Sequence, residues 1–292
     1  MNTKWGFVVL HYNTIDETNL CVESIRENCI GSNYEVIVVD NASPNKTGLN
    51  LKEKYEKIDN INVILLDENI GFANGNNIGI NRAKECGCDF VCCLNNDVLL
   101  LDSKFCEKME EAYAEYGSAI IGPRIILNHG TIQNIRGPLK QKEDYIEELG
   151  WLNKEYSYLI ENNRFYISFK DRVKDIIPNS ILNWWKNIKH KNENKTIIEN
   201  IVLHGCCVVF TPSFLKKCSG FDSRTFLYHE EELLFLMAKK NNLKTLYWPI
   251  VEVRHLEDAA TNSMFDNSIE KMKFVWKYQI DSVKIVIEEM SK

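Results

Sequence analysis

Four short apolar runs in the first hundred residues constrain this chain more than any other feature. Phe7 to Leu10, Val36 to Val39, Val63 to Leu66 and Phe90 to Leu94 each break off in polar residues, at His11, Asp40, Asp67 and Asn95. Apolar runs of this length suit strands buried on both faces. Between them lie segments of helical character. Asp16 to Asn28 carries Leu20, Val22 and Ile25 on a polar background, a polar helix is expected over about Thr47 to Ile58, and a short helix ends at Cys86. Strands alternating with helices predict βαβ units and a parallel sheet, so that the four polar strand ends share one edge. In open α/β sheets that edge holds the ligand. The sharpest of the four is Val91-Cys92-Cys93-Leu94-Asn95-Asn96-Asp97, a buried strand stopping in three polar residues, the last an acid. A carboxylate there is placed to hold a divalent cation shared with a phosphate; an ordinary Asn/Asp-rich turn has the same composition.

Composition narrows the class. The 292 residues are 45% hydrophobic and 26% charged, ordinary for a globular protein with a sizeable core. Thirty-five basic against 41 acidic residues give −6, which offers no support for nucleic-acid binding. No window approaches the roughly 18 apolar residues of a membrane span. Met1-Asn2-Thr3-Lys4-Trp5 runs straight into a strand-like segment without a secretory signal pattern, so a cytoplasmic protein is expected. The ten cysteines include close pairs such as Cys92-Cys93 and Cys206-Cys207 inside apolar runs, with no Cys-x-x-Cys, and read as reduced, buried hydrophobes.

Gly71, Gly75 and Gly79 recur every fourth residue, which lines one helix face for close approach to a neighbour; the spacing is neither Gly-x-Gly-x-x-Gly nor a P-loop. A helix is expected over Asp102 to Tyr116 and a strand over Ala119 to Ile126. From about Leu139 to Asn200 the rhythm fails. Within that insertion, Arg164 to Lys195 holds eight Lys/Arg against three Asp/Glu, a local +5, with Phe165, Tyr166, Phe169, Trp184 and Trp185. Either these aromatics fold back on the core, or the segment faces an anionic partner such as a membrane surface. The pattern resumes at Ile201 to Phe210. Glu230-Glu231-Glu232 then opens a helix to about Lys240, where acids also suit the positive end of the dipole. Thr245 to Trp248 and Val251 to Arg254 read as two strands, the second ending at His255, and Ser268 to Met290 as a closing helix. The expected organisation is a nucleotide-binding half (1–138), the insertion (139–200), an acceptor and catalytic half (201–265) and the final helix (266–292).

In this order the motifs resemble family 2 glycosyltransferases, inverting enzymes of the GT-A fold, and most of all their rhamnosyltransferase-like branch. The resemblance covers about Phe7 to Arg136 and Asn200 to Thr261. It implies a single α/β domain with a mainly parallel central sheet and an irregular or helical insertion. His11, Tyr12 and Asn13 match the first strand end, where the family's Tyr-Asn pair lies beside the nucleotide base. Asp40, Asn41 and Ser43 match Asp-Asn-x-Ser, whose acid reads the base edge. The family's Asn-x-Gly-Phe-Ala-x-Gly-x-Asn segment falls on Asn69 to Asn77, laying Asn69 and Asn74 along the sugar nucleotide. The metal-binding Asp-x-Asp position falls on Asn95-Asn96-Asp97, so only its last acid is present. The Glu-Asp pair that supplies the catalytic base falls on Glu230-Glu231, and the late strand-end His of the metal site on His255.

What the resemblance implies is transfer of a sugar, rhamnose among the candidates, from a dTDP- or UDP-linked donor to a glycan or lipid-linked acceptor hydroxyl. Asp97 and His255 would hold Mg2+ or Mn2+ against the diphosphate, and Glu231 would take the acceptor's proton. Two competitors remain. A sugar-nucleotide pyrophosphorylase would need a Gly-rich, basic loop after the first strand, where His11-Tyr12-Asn13-Thr14 stands. A non-catalytic sugar-nucleotide-binding protein is favoured by Asn95 and disfavoured by the set Asp97, Glu231 and His255.

Overall fold

The structure is a computed structural model and describes residues 3–133, 137–161, 195–256 and 268–292. Its first part follows the apolar runs. Strands β1 (Lys4–His11), β2 (Asn33–Asp40), β3 (Ile61–Leu65) and β4 (Phe90–Asn95) alternate with helices α1 (Ile15–Asn28), α2 (Thr47–Tyr55) and α3 (Gly71–Glu85). The strands lie side by side as β3-β2-β1-β4, all parallel. Successive side chains go to opposite faces. Trp5, Phe7 and Val9 enter one core with α1, α2 and α4 (Phe105–Tyr116), through Ile25, Leu51 and Met109 among others. Val8, Ile37 and Val39 enter a second core with Ala73, Ile80 and Ala83 of α3. Both faces are covered, which is why the strands carry no polar alternation. Each such aliphatic or aromatic side chain contributes about 1.5–3 kcal/mol by leaving water.

The spaced glycines seat α3 on β1. A Cβ at Gly75 would lie 2.6 Å from Leu10 Cδ1, and one at Gly79 would lie 2.3 Å from Val8 Cγ1. Any side chain there would force the helix off the sheet and disturb the strand end that carries His11.

The remaining strands extend the sheet as β4-β8-β6-β9-β5. They are β5 (Val98–Leu100), β6 (Ile120–Leu127), β7 (Ile198–Glu199), β8 (Cys207–Phe210) and β9 (Thr245–His255). β8 is antiparallel to both β4 and β6, β6 is parallel to β9, and β5 and β7 are antiparallel to β9. The sheet is therefore parallel in its first four strands and mixed beyond them. The two strands expected around Pro249 are one strand with a bulge. Pro123 faces Trp248 but Arg124 faces Glu252, so the residues around Pro249, which has no N–H to give to the ladder, are looped out.

The other helices are α5 (Lys142–Glu161), α6 (Pro212–Leu215), α7 (Glu230–Lys240) and α8 (Ser268–Glu289). The insertion thus begins as a 20-residue helix, α5, which packs on α8. Together they form a third core, where Tyr145, Leu152 and Leu159 meet Trp276, Ile280, Val283 and Val286, joined by Leu233 of α7. The basic aromatic stretch from Arg164 lies outside the described residues up to its last member, Lys195. Among the described residues no helix is long and apolar enough to cross a membrane. All ten cysteines are free thiols, and eight of them are buried.

Candidate active site

Strand register assembles the site. His11 stands opposite Asp40, and Leu10 opposite Asn95, so Tyr12-Asn13, Asn41-Ala42-Ser43 and Asn95-Asn96-Asp97 leave the sheet side by side. Two of these exits are strained. Asn13 (φ 64°) and Ala42 (φ 58°) are left-handed without being glycine, which costs of order 1–3 kcal/mol each unless surroundings enforce it. Here Asn13 N–H donates to Ser43 Oγ (2.9 Å), and Asn45 Nδ2 donates to Asn13 O (2.8 Å). Ser43 in turn donates through Oγ–H (2.5 Å) and N–H (3.2 Å) to Asp40 Oδ1. The other Asp40 oxygen lies against the first turn of α2, where a Cβ at Gly48 would come within 2.0 Å of it. The positive end of that helix favours the carboxylate. Asp40 keeps 6% of its surface exposed.

The structure sorts the expected nucleotide residues into those that line the rim and those that hold it. Tyr12 is partly exposed at the rim. His11 is not: it is fully buried, with Nδ1 2.7 Å from Thr18 Oγ1 and Nε2 2.9 Å from Thr47 Oγ1. Its reading as a nucleotide contact is corrected by that burial. Desolvation pushes its pKa down to about 4, although the Asp40 carboxylate 3.9 Å away acts the other way. Asn41 donates both amide hydrogens, to Asn69 Oδ1 (3.0 Å) and Gly71 O (3.1 Å), and accepts Ile70 N–H (3.0 Å). With Asn69 Oδ1 also capping Gly71 N–H (3.0 Å), this pair fastens the start of α3 rather than reaching outward. Asn74 Nδ2 donates to Ile70 O (3.3 Å) and Ser223 O (3.1 Å), tying α3 to the loop before α7. Asn96 turns inward, donating to Thr14 Oγ1 (2.6 Å) and Thr18 Oγ1 (2.9 Å). The side-chain oxygens of Asn13 and Asn95 are buried without a hydrogen-bond partner.

Asp97 and His255, which the family resemblance assigns to one metal site, lie side by side. β5 pairs with β9 so that Val98 faces His255, and Leu256 N–H donates to Asp97 O (2.9 Å). Asp97 Oδ1 lies 3.2 Å from His255 Nε2, yet it is buried with no hydrogen bond of acceptable geometry. The other ring nitrogen of His255 is 2.9 Å from Gln133 Oε1, an acceptor, so Nδ1 carries a proton and Nε2 is the nitrogen turned to Asp97. Asn95 Oδ1 adds a further buried oxygen two residues before Asp97. Carboxylate, amide oxygen and imidazole suit Mg2+ or Mn2+ rather than a thiophilic ion. Among the described residues no three His, Cys, Asp or Glu side chains converge as a closed metal centre. A cation held here would complete its shell with substrate or water oxygens, the usual habit of Mg2+.

The acids of α7 approach the same corner. Tyr228 (φ 73°) and His229 (φ 61°), two successive left-handed residues, swing the chain into the helix. Glu230, Glu231 and Glu232 are all buried, at 5%, 9% and 7% exposure. Glu231 Oε1 accepts Gly205 N–H (3.1 Å), and the next residue, Cys206, accepts Asn95 N–H through its carbonyl (2.9 Å). The path Glu231–Gly205–Cys206–Asn95 therefore links one carboxylate of α7 to the end of β4. Glu232 instead lies 3.5 Å from His229 Nδ1, and His229 Nε2 is 3.7 Å from Glu148 of α5. Residues that motif reading passed over complete the site. Gly205 sits in a turn just before β8 and Gln133 in the connection after β6, where neither periodicity nor spacing marks them. His204, whose ring packs edge-on to His255 at 6.2 Å, had no signal beyond being a histidine before a strand.

A mixed α/β sheet whose strand ends gather amides, a carboxylate–imidazole pair and a tethered acid defines a nucleotide-binding class of the GT-A fold. Residues 7–217 match the family Glycosyl transferase family 2, and the chain belongs to it. Glu230, Glu231 and His255 lie beyond the matched segment, so the geometry alone speaks for them. Similar solved structures include residues 1–349 of S. aureus TarS in complex with UDP, at 14% identity and TM-score 0.54, over 94% of this chain and 65% of that one. A second structure of the same TarS segment gives 14% identity and TM-score 0.50, over 85% of this chain and 60% of that one. The chain thus spans just under two thirds of these TarS chains, and the likeness is one of fold. No curated protein matches the sequence.

Proposed function

We propose that the chain is an inverting glycosyltransferase that moves a sugar from a dTDP- or UDP-linked donor to a hydroxyl of a glycan or lipid-linked acceptor, with rhamnose among the candidate sugars. The observation that supports this reading is that Glu231 is tied to Gly205, next to the Cys206 whose carbonyl receives Asn95 N–H at the strand end leading to the Asp97–His255 pair. UDP in the TarS structure supports a nucleoside diphosphate as the leaving group.

Asp40 would accept the ring N–H of the pyrimidine, and Tyr12 would cover the base. Asp97 and His255, with Asn95 Oδ1 beside them, would hold a divalent cation, which supplies Lewis-acid stabilisation of the departing diphosphate. Glu231, steadied by Gly205 N–H, would take the proton of the acceptor hydroxyl as that oxygen attacks the anomeric carbon from the face opposite the diphosphate. One displacement inverts the configuration. A carboxylate fixed before substrate arrives needs little reorganisation during attack.

The test is donor turnover. Purified protein with Mn2+ and either UDP- or dTDP-sugars should release free UDP or dTDP only when a hydroxyl acceptor is present, and proton NMR should show an inverted anomeric linkage. Acceptor-independent release, or a retained configuration, would overturn the reading.

A further inference from the structure

Behind the rim, the hydrogen bonds from Asn96 to the Asn13 carbonyl form one path with a single direction. Asn45 Nδ2 donates to Asn13 O, so its Oδ1 faces Thr47 Oγ1 at 2.6 Å and takes that hydroxyl's only hydrogen. Thr47 Oγ1 can then only accept from His11, which places the imidazole proton on Nε2. His11 is neutral at ordinary pH because burial pushes its pKa down to about 4. Its Nδ1 is therefore an acceptor and draws the hydroxyl of Thr18 at 2.7 Å. Thr18 Oγ1 in turn accepts from Asn96 Nδ2 at 2.9 Å. Thr14 O, the alternative acceptor for that hydroxyl at 2.9 Å, still receives Thr18 N–H (3.2 Å). Every bond from Asn96 through Thr18, His11, Thr47 and Asn45 to Asn13 O thus points one way. There the aligned chain ends; Asn13 itself is tied on to Asp40 by a separate pair of bonds, its N–H, on the preceding peptide, donating to Ser43 Oγ and Ser43 Oγ–H to the Asp40 carboxylate, whose Oδ1 lies 3.9 Å from His11 Nε2. Aligned chains polarise each member.

We propose that His11 is a positioning residue that joins the Asp40 end and the Asn95–Asp97 end of the site through this chain, so that the two ends capture a nucleoside diphosphate cooperatively. The proposal rests on the donor reading above. Without His11 the two strand-end loops would keep only the direct contact of Asn96 with Thr14. With it, a shift at Asp40 is transmitted to the turn that presents Asp97.

Two measurements test this. In protein labelled with 15N-histidine, the long-range proton–nitrogen spectrum of His11, assigned by its loss in His11→Gln, should show protonated Nε2 and bare Nδ1 at neutral pH. The opposite tautomer overturns the proposal. Calorimetry with UDP and dTDP in Mn2+ then closes a double-mutant cycle between Asp40→Asn and Asn96→Ala. The paired loss should depart from the product of the single losses by roughly fivefold, and should return to that product when Thr47→Val cuts the chain. A residue with only a structural role would lower all affinities together and leave the cycle unchanged. Independent losses in the unmodified background, or coupling that survives Thr47→Val, overturn this inference alone. Failure of both diphosphates to bind the unmodified protein overturns it together with the donor reading.

Discussion

Gly205→Ala puts the proposed base to its most direct structural test. The backbone of Gly205 is outside the left-handed region, so alanine adds no torsional strain; the effect must come from contact. A Cβ there would lie 3.0 Å from Glu231 Oε1, 3.2 Å from Cδ and 3.3 Å from Cγ. Ordinary contact begins near 3.4 Å, so the carboxylate must retreat by a few tenths of an ångström and its bond to Gly205 N–H must lengthen. Misplacement of a reacting group by 1 Å is worth roughly 100-fold, so a shift of this size should lower kcat by roughly tenfold. The associated overpacking should cost about 1 kcal/mol of stability, which thermal melting would register. The assay is acceptor-dependent release of diphosphate, run beside Glu231→Gln, which should fall by roughly 10²–10⁴ with donor binding nearly intact. In the Glu231→Gln background the alanine should do nothing further, because the group it displaces no longer works. An unchanged kcat in Gly205→Ala, or an equal drop in both backgrounds, would refute the reasoning. Should Glu230→Gln be the dead variant and Glu231→Gln the active one, the base is the preceding acid.

Asp40→Asn, which preserves the acceptor for Ser43, should weaken free UDP or dTDP by about 1.5–3 kcal/mol in calorimetry, and unchanged affinity would remove Asp40 from base recognition. Exhaustive chelation should abolish turnover, with Mn2+ restoring it in the parent but not in Asp97→Ala; full activity without metal would exclude a divalent cation. Glu289 is held down to about pKa 2, from 4.5, chiefly by Lys292 and also by Arg224 and Lys240. A depressed carboxylate stabilises the fold above its unfolded value and loses that contribution as pH falls, so Glu289→Gln should flatten the acid unfolding profile between pH 4.5 and 2; an identical profile would show the cluster to be inert. The basic stretch 164–195 should make the protein sediment with anionic vesicles at low salt more than with neutral ones, bringing it to a lipid-linked acceptor at the inner membrane face; equal sedimentation would count against that role.

How much of this was legible in the sequence depended on whether a residue acts within its own element. β1 to β4 were readable because burial on both faces writes an unbroken apolar run, and the polar residues that end those runs mark the rim. The α3 glycines carried their reason in their spacing. What could not be read were partnerships between distant segments. Nothing local says that Gln133 orients His255, that Gly205 holds Glu231, or that His11 turns inward rather than toward the ligand. The bulge in β9 was hidden because Pro249 resembles a break between strands until β6 supplies its register. The three acids of α7 illustrate the limit from the other side. Helical geometry separates adjacent side chains by about 100°, which predicts that they diverge, and Glu232 does turn to His229. All three nonetheless stay buried, Glu231 against Gly205 and Glu232 beside His229, which faces Glu148 of α5.

Helix α7 is a shared member of two bodies. Leu234 and Ala238 belong to the sheet core, while Leu233 belongs to the smaller core built by α5 and α8. Small satellite cores open at lower free energy than central sheets and do so as units. When this one opens, α7 loses one of its two faces, and Glu231 slackens while Asp40, rooted in the parallel strands, stays in place. Amides of α5 and α8 should therefore exchange with solvent ahead of those of β1 and β2. On the proposed reading, the molecule would pass through states that still grip a nucleotide but hold the proposed base, Glu231, out of position to use it.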